Sequence, residues 1–183
     1  SVYIVLLVLN ATVTLAMMWA TRNTMLSDGW SYIGLADGIV HGEYSMWWPL
    51  AEDYPDTFRA PGYPLLISMV MMVTGGWKAM IALQLVLYIV ALVLALRTVK
   101  WFDPRIQVRS VFLLLLLPMV NVPFYITQIY TEIPALAAVS AALYLSTRYK
   151  RWSWGKAILV GLLFGFIFQC RPVFLFFPFM SVV

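Results

Sequence analysis

The residues of this chain able to do chemistry are carboxylates that can accept a proton and guanidinium groups that can grip a phosphate, and most of the carboxylates fall in one stretch. Ser27 to Pro64 reads SDGWSYIGLADGIVHGEYSMWWPLAEDYPDTFRAPGYP, the only long polar segment in an otherwise apolar sequence. It holds six of the eight carboxylates: Asp28, Asp37, Glu43, Glu52, Asp53 and Asp56. Asp28 is a candidate general base, because a carboxylate beside a low-dielectric membrane surface is made more basic by desolvation. The same position suits a helix N-cap, as does Ser27. Glu132, the only acid between Asp103 and the chain end, is the second candidate: it could orient an acceptor, support Asp28 or hold a divalent cation, or it is a first-turn acid favoured by the helix dipole. Arg59 and Arg171 are the candidates for a phosphate, since guanidinium binds it bidentately. Arg171 sits between apolar runs, where an ionisable group either serves a function or snorkels to the headgroups. Lys78 is a third candidate for the same task.

Composition decides what positions these groups. Hydrophobic residues make up 63% of the 183, charged residues 11%, and the mean hydropathy is +0.87, which is the profile of an integral membrane protein. The net charge of +4 does not point to nucleic acid, because eight of the twelve Lys and Arg lie in two short clusters that read as topology signals. Cys170 is the only cysteine and has no disulfide partner; it reads as a small buried hydrophobe. His41 has no second His or Cys with which to share a metal. The chain starts at Ser1 without Met and stops in an apolar run, so it is expected to be part of a longer protein, cut at both ends.

An all-helical, polytopic transmembrane bundle is therefore expected, forming a single module over residues 1–183. The first span covers residues 2–21, and a signal peptide is the competing reading of that stretch. Residues 22–78 form an extracytoplasmic loop. Within it Trp30, Ile33, Ala36, Ile39 and Val40 recur at helical spacing until Gly42, predicting an amphipathic juxtamembrane helix that places Asp28 and Tyr32 on one face. Residues 61–74 make a half-length segment that starts at prolines and ends at Gly75-Gly76. Further spans fill residues 79–183: Ala79 to Leu96, Val111 to about Ile126 kinked by Pro118 and Pro123, Ile133 to Thr147, Ala157 to Cys170, and a return crossing that begins at Val173.

Charge orients them. Arg97, Lys100, Arg105 and Arg109 form one cluster and Arg148, Lys150, Arg151 and Lys156 the other, two crossings apart, so both lie on the cytoplasmic side. Asp28 and Glu132 then share the opposite face, and the 61–74 segment does not cross. Seven of the eight acids fall outside, with Asp103 alone inside.

Four features in this order resemble the GT-C superfamily of polytopic glycosyltransferases, in particular the branch of protein O-mannosyltransferases and the lipid A aminoarabinose transferase. They are an acid after the first span followed by an aromatic-rich helix (SDGWSYIGLADGIVHGEY), RAPGYPLL leading into a short apolar segment, an acid before the fourth long apolar run (YTEIPALAAVSAALYL), and a Gly-rich helix ending in Arg-Pro (GLLFGFIFQCRP). The resemblance implies a polyprenyl-phosphate-linked sugar donor and inverting transfer to the hydroxyl of a lipid, glycan or protein acceptor outside the cytoplasm, in the manner of a bacterial inner-membrane enzyme. It favours Asp28 as the base over the cap, and the donor phosphate is then what Arg59 and Arg171 would bind. Tyr32, Tyr63, Trp47 and Trp48 would then be rings to stack on a sugar, or else interfacial anchors. In the O-mannosyltransferase branch a second acid typically follows the first, whereas here Gly29 follows Asp28. The rival class is a polytopic transporter or lipid flippase, which would set ionisable groups near the bilayer midplane and repeat its elements.

Overall fold

A computed structural model describes residues 2–47, 56, 59–119, 121–148 and 153–171 of the chain. Among the described residues all regular structure is helical: α1 (Val2–Thr21), α2 (Ser27–Val40), α3 (Gly62–Thr74), α4 (Ala79–Phe102), α5 (Ile106–Leu116), α6 (Asn121–Gln128), α7 (Glu132–Arg148) and α8 (Trp154–Cys170). Of these, α1 and α4 are long and apolar enough to cross a membrane. Trp48 and the segment after Arg171, including the expected return crossing, lie outside the described residues.

The few polar residues of the apolar helices fix the order in which the helices pack. Asn10 donates its side-chain amide to the carbonyls of Leu6 (2.8 Å) and of Leu113 on α5 (3.1 Å), and the hydroxyls of Thr21 and Thr127 meet at 2.7 Å. Those pairs run forward along both chains, so α1 is parallel to α5 and α6; in an apolar surround such hydrogen bonds also hold helices together. Gln84 near the start of α4 reaches the Tyr130 carbonyl before α7 (3.2 Å), while Arg97, Lys100 and Trp101 share a cavity with Tyr144 and Arg148. Hence α4 and α7 are parallel to each other as well. Glu132 at the start of α7 meets Arg171 at the end of α8, so those two helices are antiparallel.

The single kinked crossing expected from Val111 to Ile126 is two helices. The α5 helix stops at Leu116, ahead of Pro118, and Pro123 falls in the first turn of α6, where its missing N–H is no loss. The α3 helix has 13 residues and so spans about 20 Å, short of a hydrocarbon core of about 30 Å. It stops at Gly75, in the left-handed region at φ 77°, with the Gly75 N–H on the Met71 carbonyl at 2.8 Å. Its start lies against the end of α8 at Gln169, and just beyond its other end Trp77 packs edge-on with Trp30 of α2 at 5.7 Å.

The α2 helix differs from expectation at both its cap and its face. It begins at Ser27, with Leu26 at the cap position and no side-chain cap, so Asp28 lies within the first turn. Trp30 and Val40 are exposed, while Ile33, Leu35, Ala36 and the flank at Gly29 and Gly38 are buried. The physical reason is that this helix is covered on more than one side: α3 packs along it, the backbone of residues 43–46 closes on Gly34 and Gly38, and the turn between α6 and α7 covers Gly29. Ile33, Ala36, Tyr63, Ile67, Met80, Ile129, Ala135 and Cys170 form the resulting core, drawing on α2, α3, α4, α7, α8 and that turn.

Close approach at Gly29 sets this docking. A β-carbon there would stand 2.3 Å from the Gln128 carbonyl oxygen and 2.9 Å from Cγ of Met25. Because the obstructing atom is backbone, Gly29→Ala is expected to cost about 1–3 kcal/mol as overpacking despite its gain in helix propensity. Thermal unfolding in detergent reads the change; an unshifted or raised midpoint would show that α2 docks without this contact.

Candidate functional site

One end of the bundle gathers the start of α2, the chain before α3, the turn before α7 and the end of α8. It carries both candidate acids and both candidate arginines. Arg59 lies 3.7 Å from the Asp28 carboxylate and 3.3 Å from that of Asp56, and its backbone N–H donates to Asp56 Oδ1 at 3.0 Å. The Asp56 side chain is 7% exposed and that of Asp28 62%, so Asp56 is the fixed partner and Asp28 the open one. Tyr44 donates its hydroxyl to the Arg59 carbonyl at 2.7 Å, and burial together with the neighbouring Asp56 charge pushes that phenol up to about 12.

Arg171 closes α8 and donates Nη2 to Glu132 Oε1 at 2.5 Å and Nε to the Thr131 hydroxyl at 3.3 Å. The pair is half-open, the arginine side chain 42% and the glutamate 22% exposed. Both residues line a cavity of about 340 Å³ whose other walls are Val122, Tyr125, Ile133, Ala135, Leu136 and Val139. A charged rim over an apolar trough is the shape that an amphiphile carrying a phosphate would fill.

Tyr32 joins the two ion pairs. The Arg59 guanidinium lies 5.7 Å from the centroid of its ring. Burial raises the Tyr32 phenol above its ordinary value; Arg59 opposes this, Asp28 and Glu132 reinforce it, and Arg171 opposes it. Four charges drawn from four separate parts of the chain thus act on one hydroxyl. Tyr130 is raised in the same way, first by burial and then by Asp28 and Glu132.

Tyr63 does something other than expected. It is fully buried and cannot stack on a ligand; its ring meets that of Tyr32 edge-on at 5.1 Å, and its hydroxyl accepts from the Gln84 amide. It backs Tyr32, because it lies on the face of α3 that packs into the core shared with α2, α4 and α8. Lys78 precedes α4 with an exposed side chain and, among the described residues, forms no ion pair with this group. Trp47 is exposed. The Asp28 carboxylate is exposed rather than buried.

Sequence reasoning missed Asp56, Thr131 and Gln84 as partners of the site. Asp56 stands three residues before Arg59 in a turn-prone stretch, and Thr131 adjoins Glu132, so local spacing carried some signal for both. Gln84 carried none, since its partners are distant in sequence. Among the described residues no group of three His, Cys, Asp or Glu side chains is arranged to hold a metal ion. Comparison of the chain with protein-family models, with curated proteins and with solved structures finds no match.

The buried Tyr63 contact can be tested apart from any activity. Tyr63→Phe keeps the ring but strands a donor of Gln84, which is fully buried. A loss of about 1–3 kcal/mol is expected, the penalty for an unsatisfied buried polar group. Tyr32→Phe, on a half-buried ring, should cost clearly less. Equal losses in the two variants would remove the distinction between support and open face.

Proposed function

We propose that this chain is a multi-pass membrane glycosyltransferase, similar to the GT-C superfamily, that moves a sugar from a polyprenyl-phosphate donor to an acceptor hydroxyl on the extracytoplasmic face, with inversion. The observation that carries the reading is the pairing of Arg59 with Asp28, beside the Tyr32 ring, and of Arg171 with Glu132 on the wall of a largely apolar cavity, both at one end of the bundle. The separation of charge supports the orientation, since these acids lie at one end of the helices and Arg97, Lys100 and Arg148 at the other.

In this reading the acceptor oxygen attacks the anomeric carbon from the face opposite the lipid phosphate. The new carbon–oxygen bond forms as the bond to the phosphate oxygen breaks, and its electron pair leaves with the lipid phosphate. The acceptor proton passes to the Asp28 carboxylate, which is open enough to meet an incoming hydroxyl. Arg171 and Arg59 hold the phosphate and neutralise the charge that grows on it. Glu132 orients Arg171, and Tyr32 offers its ring and hydroxyl to the sugar. The acceptor class is a lipid, a glycan or a protein.

Two substitutions separate chemistry from binding in the whole protein. Asp28→Asn keeps size and removes proton acceptance, so transfer from a polyprenyl-phosphate sugar should fall by about 10² to 10⁴ while donor binding stays within a few fold. Normal turnover in Asp28→Asn would exclude Asp28 as the base. Arg171→Ala should weaken donor binding by about 1.5–3 kcal/mol, and Arg171→Lys should restore part of it, lacking the bidentate fork. If Arg171→Ala left donor affinity intact, the arginine would have no hold on the phosphate.

A further inference from the structure

The opposite end of the bundle holds a second cluster that the proposed activity does not use. The α4 and α7 helices run parallel, so their last turns lie side by side. Arg97, Lys100 and Trp101 from one, with Tyr144 and Arg148 from the other, line a cavity of about 360 Å³. Two basic clusters some fifty residues apart in sequence thereby supply cations to a single concave surface. Cations at helix C-termini are favoured by the dipole, which explains one charge per helix end but not an aromatic-walled cavity shared between two helices.

No acid among the described residues neutralises the three. The nearest in sequence, Asp103, is taken by Arg105 through paired contacts of 3.0 and 2.5 Å. Arg148 lies 5.9 Å from the Tyr144 ring centroid, a contact that leaves its donors open. Trp101 and Phe102 beside the cavity are exposed and meet edge-on at 5.0 Å, the aromatic pair expected where a spanning helix reaches the headgroup layer. A cavity with cations on its walls, at the end of a helix long enough to span, fits a phosphodiester that arrives attached to acyl chains.

We propose that Arg97, Lys100 and Arg148 form a binding site for the headgroup phosphate of an anionic glycerophospholipid, walled by Trp101 and Tyr144. The site shares with the proposed function only its placement in a membrane, and stands or falls independently of sugar transfer. Its effect is to fix the α4 and α7 ends against the leaflet that carries the anionic lipid.

The test is native mass spectrometry of the full chain in neutral detergent, titrated with phosphatidylglycerol or with phosphatidylcholine. Phosphatidylglycerol should be retained in clear preference. In Arg97→Gln/Lys100→Gln/Arg148→Gln its affinity should fall on the order of 100-fold, about fivefold for each cation lost. Arg97→Lys/Arg148→Lys keeps the charge and should keep most of the binding, with helical circular dichroism unchanged. Arg171→Ala, at the other end, should leave it in place. Equal retention of the two lipids would overturn the proposal, as would undiminished binding in the triple Gln variant or loss of binding in Arg171→Ala. Full displacement by inorganic phosphate would assign the cavity to a soluble phosphate ligand and overturn it as well.

Discussion

The site depends on one side chain, Gln128, which clamps the segment just before α2. Its amide donates to the Thr24 carbonyl at 2.8 Å and its oxygen accepts the Leu26 N–H at 2.9 Å, while its own carbonyl oxygen fills the space that a side chain at residue 29 would need. The amide thus satisfies a helix-start donor that no cap residue serves, and it does so fully buried. Because Gln128 is four residues before Glu132 and its partners just precede Asp28, this clamp brings two acids more than a hundred residues apart to one end of the bundle. Without it, Asp28 would ride on a surface helix with no defined position relative to α7.

The turn that carries Gln128 is held in an unfavourable shape. Ile129 has φ 54°, in the left-handed region, although it is β-branched. Such a conformation costs on the order of 1–3 kcal/mol and persists only where its surroundings enforce it. Here Ile129 is fully buried in the core that joins α2, α3 and α7, and the unusual backbone lets Gln128 face α2 while Thr131 and Glu132 face Arg171. Packing and polar geometry are therefore satisfied together at a local backbone expense.

The long apolar helices were legible in the sequence, because α1, α4, α7 and α8 are each a run of apolar residues bounded by charge or turn residues. So was the grouping of candidates into two acids and two arginines, since ionisable side chains are scarce enough in this chain to stand out. The α2 face was not, because period alone assumes one covered side and this helix is covered by α3, by the segment 43–46 and by the turn before α7. The break between α5 and α6 was visible as two prolines but not as a loss of continuity, which depends on whether neighbours restore the missing hydrogen bonds. Gln84, Gln128 and Ile129 were invisible for the same reason: their roles consist of contacts with distant segments. Tyr63 was misjudged as an open ring because its motif resembles a ligand-facing one, while packing of α3 against α8 puts it in the core.

The resting charge pattern bears on how the proposed donor would enter. Each arginine at the site already has an acidic partner, so a phosphate gains a guanidinium only by exchange with a carboxylate. At Arg59 the exchange is unequal: Asp56 is buried and also holds the backbone N–H, whereas Asp28 is exposed and stands at the longer distance of 3.7 Å. Exposed pairs at such separations are weak. A phosphate approaching from the open side would therefore replace Asp28 and leave Asp56 in place. In the proposed mechanism this is the useful order, because donor binding would release the Asp28 carboxylate from its cation at the moment it is needed to accept a proton. Among the described residues Arg171 has no such second acid in reserve; its remaining partner is the neutral Thr131 hydroxyl. Displacing Glu132 there would leave that carboxylate next to an occupied phosphate, which is repulsive, so Glu132 is better suited to share Arg171 with the ligand than to yield it.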